Sequence, residues 1–85
     1  MEIDALRIAL LAVCAPEHAF AHRLHGELEH WLNRSLATVE VDAALAELES
    51  GGLLSARRES AHVAFLTTAD GRAIVAARWQ EFFPE

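Results

Sequence analysis

The chain has 85 residues, 53% of them hydrophobic and 24% charged, a balance that gives one globular domain over 1–85 and excludes a disordered polymer. Thirteen acids stand against seven basic residues, all arginine, for a net charge of −6. That excludes a broadly basic nucleic-acid coat, although a local basic patch still suffices to neutralise phosphates.

The first helix is expected over Ile3–Ala15, capped by Asp4. Ile3, Leu6, Leu10 and Val13 form one stripe at helical spacing, and Ile8, Leu11 and Ala12 form a second on another face. A helix apolar on two sides is either a central core helix or one shared with a partner, and both readings stand here. The lone cysteine, Cys14, excludes an internal disulfide and reads as a buried, inert thiol. The near-apolar run Ile8–Pro16 is about half the roughly 20 residues that span a bilayer. With no charged-then-apolar leader in view, a cytoplasmic location and no membrane partner are expected.

Pro16 breaks the first helix, and the second is expected from Glu17 to Asn33. Phe20, Leu24, Leu28, Trp31 and Leu32 make its apolar face. Thr38 is the expected N-cap of a third helix, with Glu40 suiting the positive end of its dipole. Val41, Leu45 and Leu48 face the core, and Gly51 or Gly52 stops the helix in a left-handed cap. Leu53–Glu59 and His62–Thr67 read as two short strands joined at Ser60 and Ala61. Thr68 caps a last helix, in which Ile74, Arg78 and Phe82 share one side and Val75, Trp79 and Phe83 another. Pro84 ends it. Three large aromatics at the end of this helix leave an apolar surface that needs cover. Trp79, Phe82 and Phe83, with Ile8 and Leu11, are the expected interface of a homodimer.

The order helix, helix, helix, strand, strand, helix is mainly α with a small β-hairpin: a winged helix-turn-helix. Three runs carry a family resemblance. Leu45 to Leu54, LAELESGGLL, resembles the end of the third helix and the first wing strand of PadR-like and, more distantly, MarR-like regulators. Phe65 to Ala73, FLTTADGRA, is similar to their second wing strand and the start of the last helix: Phe65 stands for the aromatic, and Thr68 and Gly71 keep the threonine–glycine spacing. Ile8 to Phe20, IALLAVCAPEHAF, is similar to their first helix and the turn after it. The resemblance implies a winged-helix transcriptional regulator that binds double-stranded DNA. Two features differ from the family. The third helix has no Arg, Lys, Asn or Gln, and the C-terminal region is one short helix where PadR-like proteins often carry a longer dimerising part.

Base reading in the major groove uses Arg or Lys for guanine and Asn or Gln for adenine. The outward face of the third helix instead offers Ala43, Ala46 and Ser50, flanked by Glu40, Asp42 and Glu47. It reads as a solvated acidic face or as a face that docks another protein. The expected DNA contacts are therefore Arg57 and Arg58 on the first wing strand, Arg34 before the third helix and Arg72 in the first turn of the last. Pairing of the wing arginines with acids such as Glu59 is the competing reading. His18, His22, His25 and Glu29 recur at spacings of four, three and four residues. They read as an exposed polar strip or as part of a zinc site, which one straight helix cannot complete. The expectation is no metal, no cofactor and no enzyme: nucleophile elbow, phosphate loop and metalloprotease spacing are all missing. The alternative to a DNA-binding regulator is a winged-helix protein-interaction or anti-activator module that has lost DNA binding.

Overall fold

The first helix, α1 (Ala5–Val13), is surrounded by the rest of the chain. Asp4 caps it by accepting the Arg7 N–H at 3.0 Å. Leu6, Ile8, Ala9, Leu10 and Leu11 are all buried. The structure, a computed structural model, describes residues 1–84.

Burial on every side makes α1 the central core helix. Ile8 and Leu11, expected at a dimer interface, are 0% exposed within the single chain and reach no surface. The reason is that the other three helices, α2 (Ala21–Leu32), α3 (Thr38–Ser50) and α4 (Ala69–Phe82), all pack against α1. Both of its apolar stripes are thereby covered by the chain itself.

The second helix starts at Ala21 and not at Glu17. Ahead of it Ala19–Phe20 form a two-residue strand, β1, which the sequence did not predict. It pairs antiparallel with β3 (His62–Thr67), setting Ala19 opposite Phe65 and Phe20 opposite Ala64. β3 also pairs with β2 (Leu54–Glu59), from Leu54 opposite Thr67 to Glu59 opposite His62. The sheet order is β1-β3-β2. β1 thus satisfies backbone groups of β3 that would otherwise lie at an open edge. Ser60 closes the wing hairpin in the left-handed region, with φ 49°.

The N-cap of α3 is Ala37, with extended backbone angles and no side-chain hydrogen bond. Thr38, expected there, is the first helical residue instead. The Ala37 carbonyl already accepts from the amides of Glu40 and Val41, which moves the helix start back by one. At the other end Gly52 takes φ 78°, a conformation that costs glycine little. The Leu53 N–H donates to Leu48 O and the Gly52 N–H to Glu49 O. These two bonds are the Schellman closure, and they lead the chain directly into β2.

Two threonines lock the far side. Thr67 is buried; its hydroxyl donates to Leu11 O at 2.6 Å, and its N–H donates to Cys14 O at 3.0 Å. Carbonyls at the end of α1, which lack helical partners, are satisfied in this way. Thr68 caps α4 as expected: its hydroxyl accepts the Gly71 N–H at 3.2 Å and donates to Gly52 O at 2.7 Å. Gly71 is the glycine of the threonine–glycine motif, and its requirement is steric. A Cβ there would collide with the Leu53 carbonyl and the Thr67 methyl. No buried side-chain polar atom lacks a partner among the described residues.

Candidate nucleic-acid interface

Helix α2, a short connection and helix α3 form the helix-turn-helix, and β2–β3 form the wing. The turn is held by side chains of α2. Asn33 ends α2 in the left-handed conformation, with φ 53°. One turn apart on α2, His25 and Glu29 then grip the two backbone groups of Leu36. His25 Nε2, carrying the proton, donates to the Leu36 carbonyl. Glu29 Oε2 accepts the Leu36 N–H at 2.7 Å and lies 3.3 Å from the same imidazole nitrogen. The Leu36 side chain is buried in the core. This clamp fixes where α3 leaves the turn, and so the angle at which its outer face is presented.

The strip of histidines is therefore divided among separate tasks. His25 and Glu29 hold the turn. His18 precedes β1 and is not on the helix. His22 stands against His62 of the wing, with ring centroids 5.6 Å apart. Among the described residues no group of three or more His, Cys, Asp and Glu is arranged to hold a metal.

The electrostatics of α3 differ from what its composition suggests. Each of its three glutamates meets an arginine from another part of the chain. Glu40 pairs with Arg34 at 3.2 Å, Glu47 with Arg7 at 2.8 Å and Glu49 with Arg58 at 3.0 Å. Arg7 also binds Asp4, through a contact of 2.9 Å. Burial draws the Arg7 guanidinium downward in pKa, but the hydrogen bonds to Glu47 and Asp4 outweigh it and the net direction is upward. Asp42 is the one acid of α3 without an ion pair among the described residues. The outer surface between these pairs consists of Thr38, Val39, Asp42, Ala43 and Ala46, all exposed. Val39 is 75% exposed, an aliphatic side chain standing in solvent on the first turn.

The same pairs occupy the arginines expected to meet DNA. Arg58 donates two hydrogen bonds to Glu49, at 3.1 and 3.0 Å, bracing the wing against α3. The hydrogen bond from Arg58 holds the Glu49 carboxyl below its ordinary value. Arg57 lies 3.3 Å from Glu59, the acid named as its possible partner. Arg72 donates to the Ala15 carbonyl at 2.8 Å, joining α4 to the segment after α1. Arg34, Arg57 and Arg58 thus lie on the turn and wing, and Arg72 is held at the end of α1. Arg23 forms no ion pair among the described residues. A single exposed arginine on a helix carries no signal in the sequence.

The aromatics of α4 find cover inside the chain. Trp79 and Phe83 stack with centroids 4.4 Å apart, and Trp31 of α2 sets its edge against Trp79 at 5.8 Å. Trp31 remains 50% exposed, so the cluster keeps an outward apolar face. Arg78 lies over the Phe82 ring, 5.4 Å from its centroid. Cys14 is wholly buried. Burial, with a contribution from Glu27, pushes its thiol up to about 12, which removes the thiolate needed for reactivity. No helix among the described residues is long and apolar enough to cross a membrane.

Known structures share this architecture. The chain superposes on RosR of H. salinarum with a TM-score of 0.84 at 17% identity, covering 94% of this chain and 74% of that one. A transcriptional regulator from Clostridium thermocellum matches with a TM-score of 0.72 at 13% identity, over 93% of this chain and 80% of its own. HlyU from Vibrio cholerae matches at 0.63 and 21% identity, over 94% and 78%. These likenesses establish the winged-helix fold. No protein-family model and no curated protein matches the chain.

Proposed function

We propose that the protein is a small winged-helix regulator of transcription, of PadR-like type, that binds double-stranded DNA as a homodimer. The carrying observation is the cancellation of charge on α3 by Arg34, Arg7 and Arg58. A helix that by composition repels a duplex becomes close to neutral, which removes the main electrostatic objection to its entering a groove. The likeness to a structure described as a transcriptional regulator supports the same reading. Arg, Lys, Asn and Gln are missing from α3, so phosphate contact from the wing and turn supplies most of the affinity, Arg57 first, because Arg34 and Arg58 reach a phosphate only by leaving the glutamates they neutralise. The dimer joins through the outward face of Trp31, Trp79, Phe82 and Phe83.

Two measurements test this. Duplex DNA is titrated at low salt with the protein and with Arg57→Ala/Arg58→Ala. The wild type binds, and the variant binds more weakly with a shallower salt dependence. Failure to bind any duplex at low salt refutes the regulator reading. Sedimentation of the wild type against Trp79→Ala tests the dimer, and a monomeric wild type refutes it.

The second reading, a protein-interaction or anti-activator module without DNA binding, is favoured by one specific observation: all four arginines expected to meet DNA already have partners within the chain. The docking face would then be the exposed Val39, Ala43 and Ala46 of α3.

A further inference from the structure

The DNA-binding reading leaves one exposed cluster unused: Phe20, His22, Arg23 and His62, where β1 runs into α2 beside the wing. Phe20 stacks on His22 with centroids 5.7 Å apart and meets the edge of His62 at 6.0 Å. The two imidazoles are 5.6 Å apart, and all three rings are exposed. Strand register explains the meeting. His62 is the first residue of β3 after the wing turn, opposite Glu59. β1 runs antiparallel to β3, with Phe20 opposite Ala64. The chain therefore leaves β1 heading toward the wing turn, and the first turn of α2 sets His22 beside His62, with Arg23 next along the helix on the side of Phe20.

Resting on the DNA-binding reading, we propose that His22, His62 and Arg23 form a second phosphate-binding patch, whose contribution to DNA affinity grows as the pH falls through the titration range of histidine. The chemistry follows from the side chains present. Arg23 carries a charge at all relevant pH values and has no ion pair among the described residues. Imidazole becomes cationic between pH 8 and pH 5, in the range where few other side chains change charge. A phosphate lying between two imidazolium rings pairs with both, so proton uptake and DNA binding reinforce one another.

The charged neighbours on each side set the scale. From β2, Glu59 faces His62, but it is engaged by Arg57. From the segment before β1, Glu17 and His18 line the same groove as Arg23, Phe20 and, one turn further along α2, Glu27. None of these acids lies within ion-pair distance of His22, His62 or Arg23. The sign is fixed by linkage. Imidazolium attracts phosphate and neutral imidazole does not, so the added affinity is present at the acid end of the histidine range and is lost toward its alkaline end.

The test is a salt series of binding to a mixed-sequence duplex by the full chain, at about pH 5.5 and about pH 8. Two new phosphate contacts steepen the slope of log K against log salt by about 1.8 at the lower pH. His22→Gln/His62→Gln loses this change and keeps the slope seen at the higher pH. Arg23→Ala lowers the slope by about 0.9 at both. A wild-type slope that does not respond to pH overturns the patch. An equal response in the double variant assigns the effect to His18, His25 or His30 and overturns it as well. Failure to bind any duplex at either pH overturns the DNA-binding reading itself and the patch with it, an outcome distinct from pH-independent binding. Thermal melts of each variant guard against unfolding.

Discussion

The pair between Arg58 and Glu49 makes the DNA-binding reading quantitative. Arg58 commits two hydrogen bonds, of 3.1 and 3.0 Å, to a carboxylate on the edge of α3. For that guanidinium to reach a phosphate it must leave Glu49, and the abandoned carboxylate then faces the duplex. Glu49→Gln keeps the side-chain shape and one acceptor oxygen but removes the charge. The arginine is freed at little structural cost, and the wing gains one net positive charge. One additional phosphate contact steepens the slope of log K against log salt by about 0.9, so the affinity lost between 50 and 200 mM salt grows by about 3.5-fold. Fluorescence anisotropy of a labelled duplex across a salt series measures this. Arg58→Ala on the Glu49→Gln background must return the slope to the wild-type value or below. A slope that stays constant or becomes shallower in Glu49→Gln would show that Arg58 serves only to brace the wing, and the charge argument for the interface would fail.

Three further outcomes follow from the packing. Gly71→Ala forces a methyl against the Leu53 carbonyl and Thr67 and costs about 1–3 kcal/mol, which lowers Tm by at least roughly 4 °C in calorimetry. Leu11→Ala opens a cavity in a site with no exposure and costs about 2–5 kcal/mol in urea unfolding, while self-association at a concentration where the variant stays folded is unchanged. Cys14, wholly buried and with its thiol raised to about 12, reacts with a thiol reagent only as fast as the chain unfolds, so labelling in a urea series tracks the loss of circular dichroism.

Most of the fold was legible because its signals are local. The glycine pair after Leu48, the alternation of Val63 and Phe65, and Thr68 three residues before Gly71 each act within one element or cap. β1 was not legible. Two residues show no periodicity, and their pairing with Ala64 and Phe65 closes across more than forty residues of chain. The two apolar stripes of α1 are plain in the sequence, but whether chain or partner covers them depends on how α2 and α4 pack. The candidate site divides along the same line. Its arginines and acids could be named, but Arg7 meets Glu47 across forty residues of sequence. The spacing of His25 and Glu29 reads as a ligand pattern in the sequence, and its use as a clamp depends on Leu36 arriving between them.

The joint between α3 and α4 has a mechanical consequence. Thr68 donates from its hydroxyl to Gly52 and from its amide to Leu53, and Gly71 sits hard against the same Leu53 carbonyl. The two helices therefore meet at a stiff knuckle, although β2 and β3 separate them in the sequence. The 14 residues of α4 make an arm of about 21 Å. That arm is not free to swing, because α4 also packs along α1 and its Trp79 meets Trp31 of α2. A partner that grips Trp79 and Phe83 therefore bears directly on Trp31, and through it on the first helix of the helix-turn-helix.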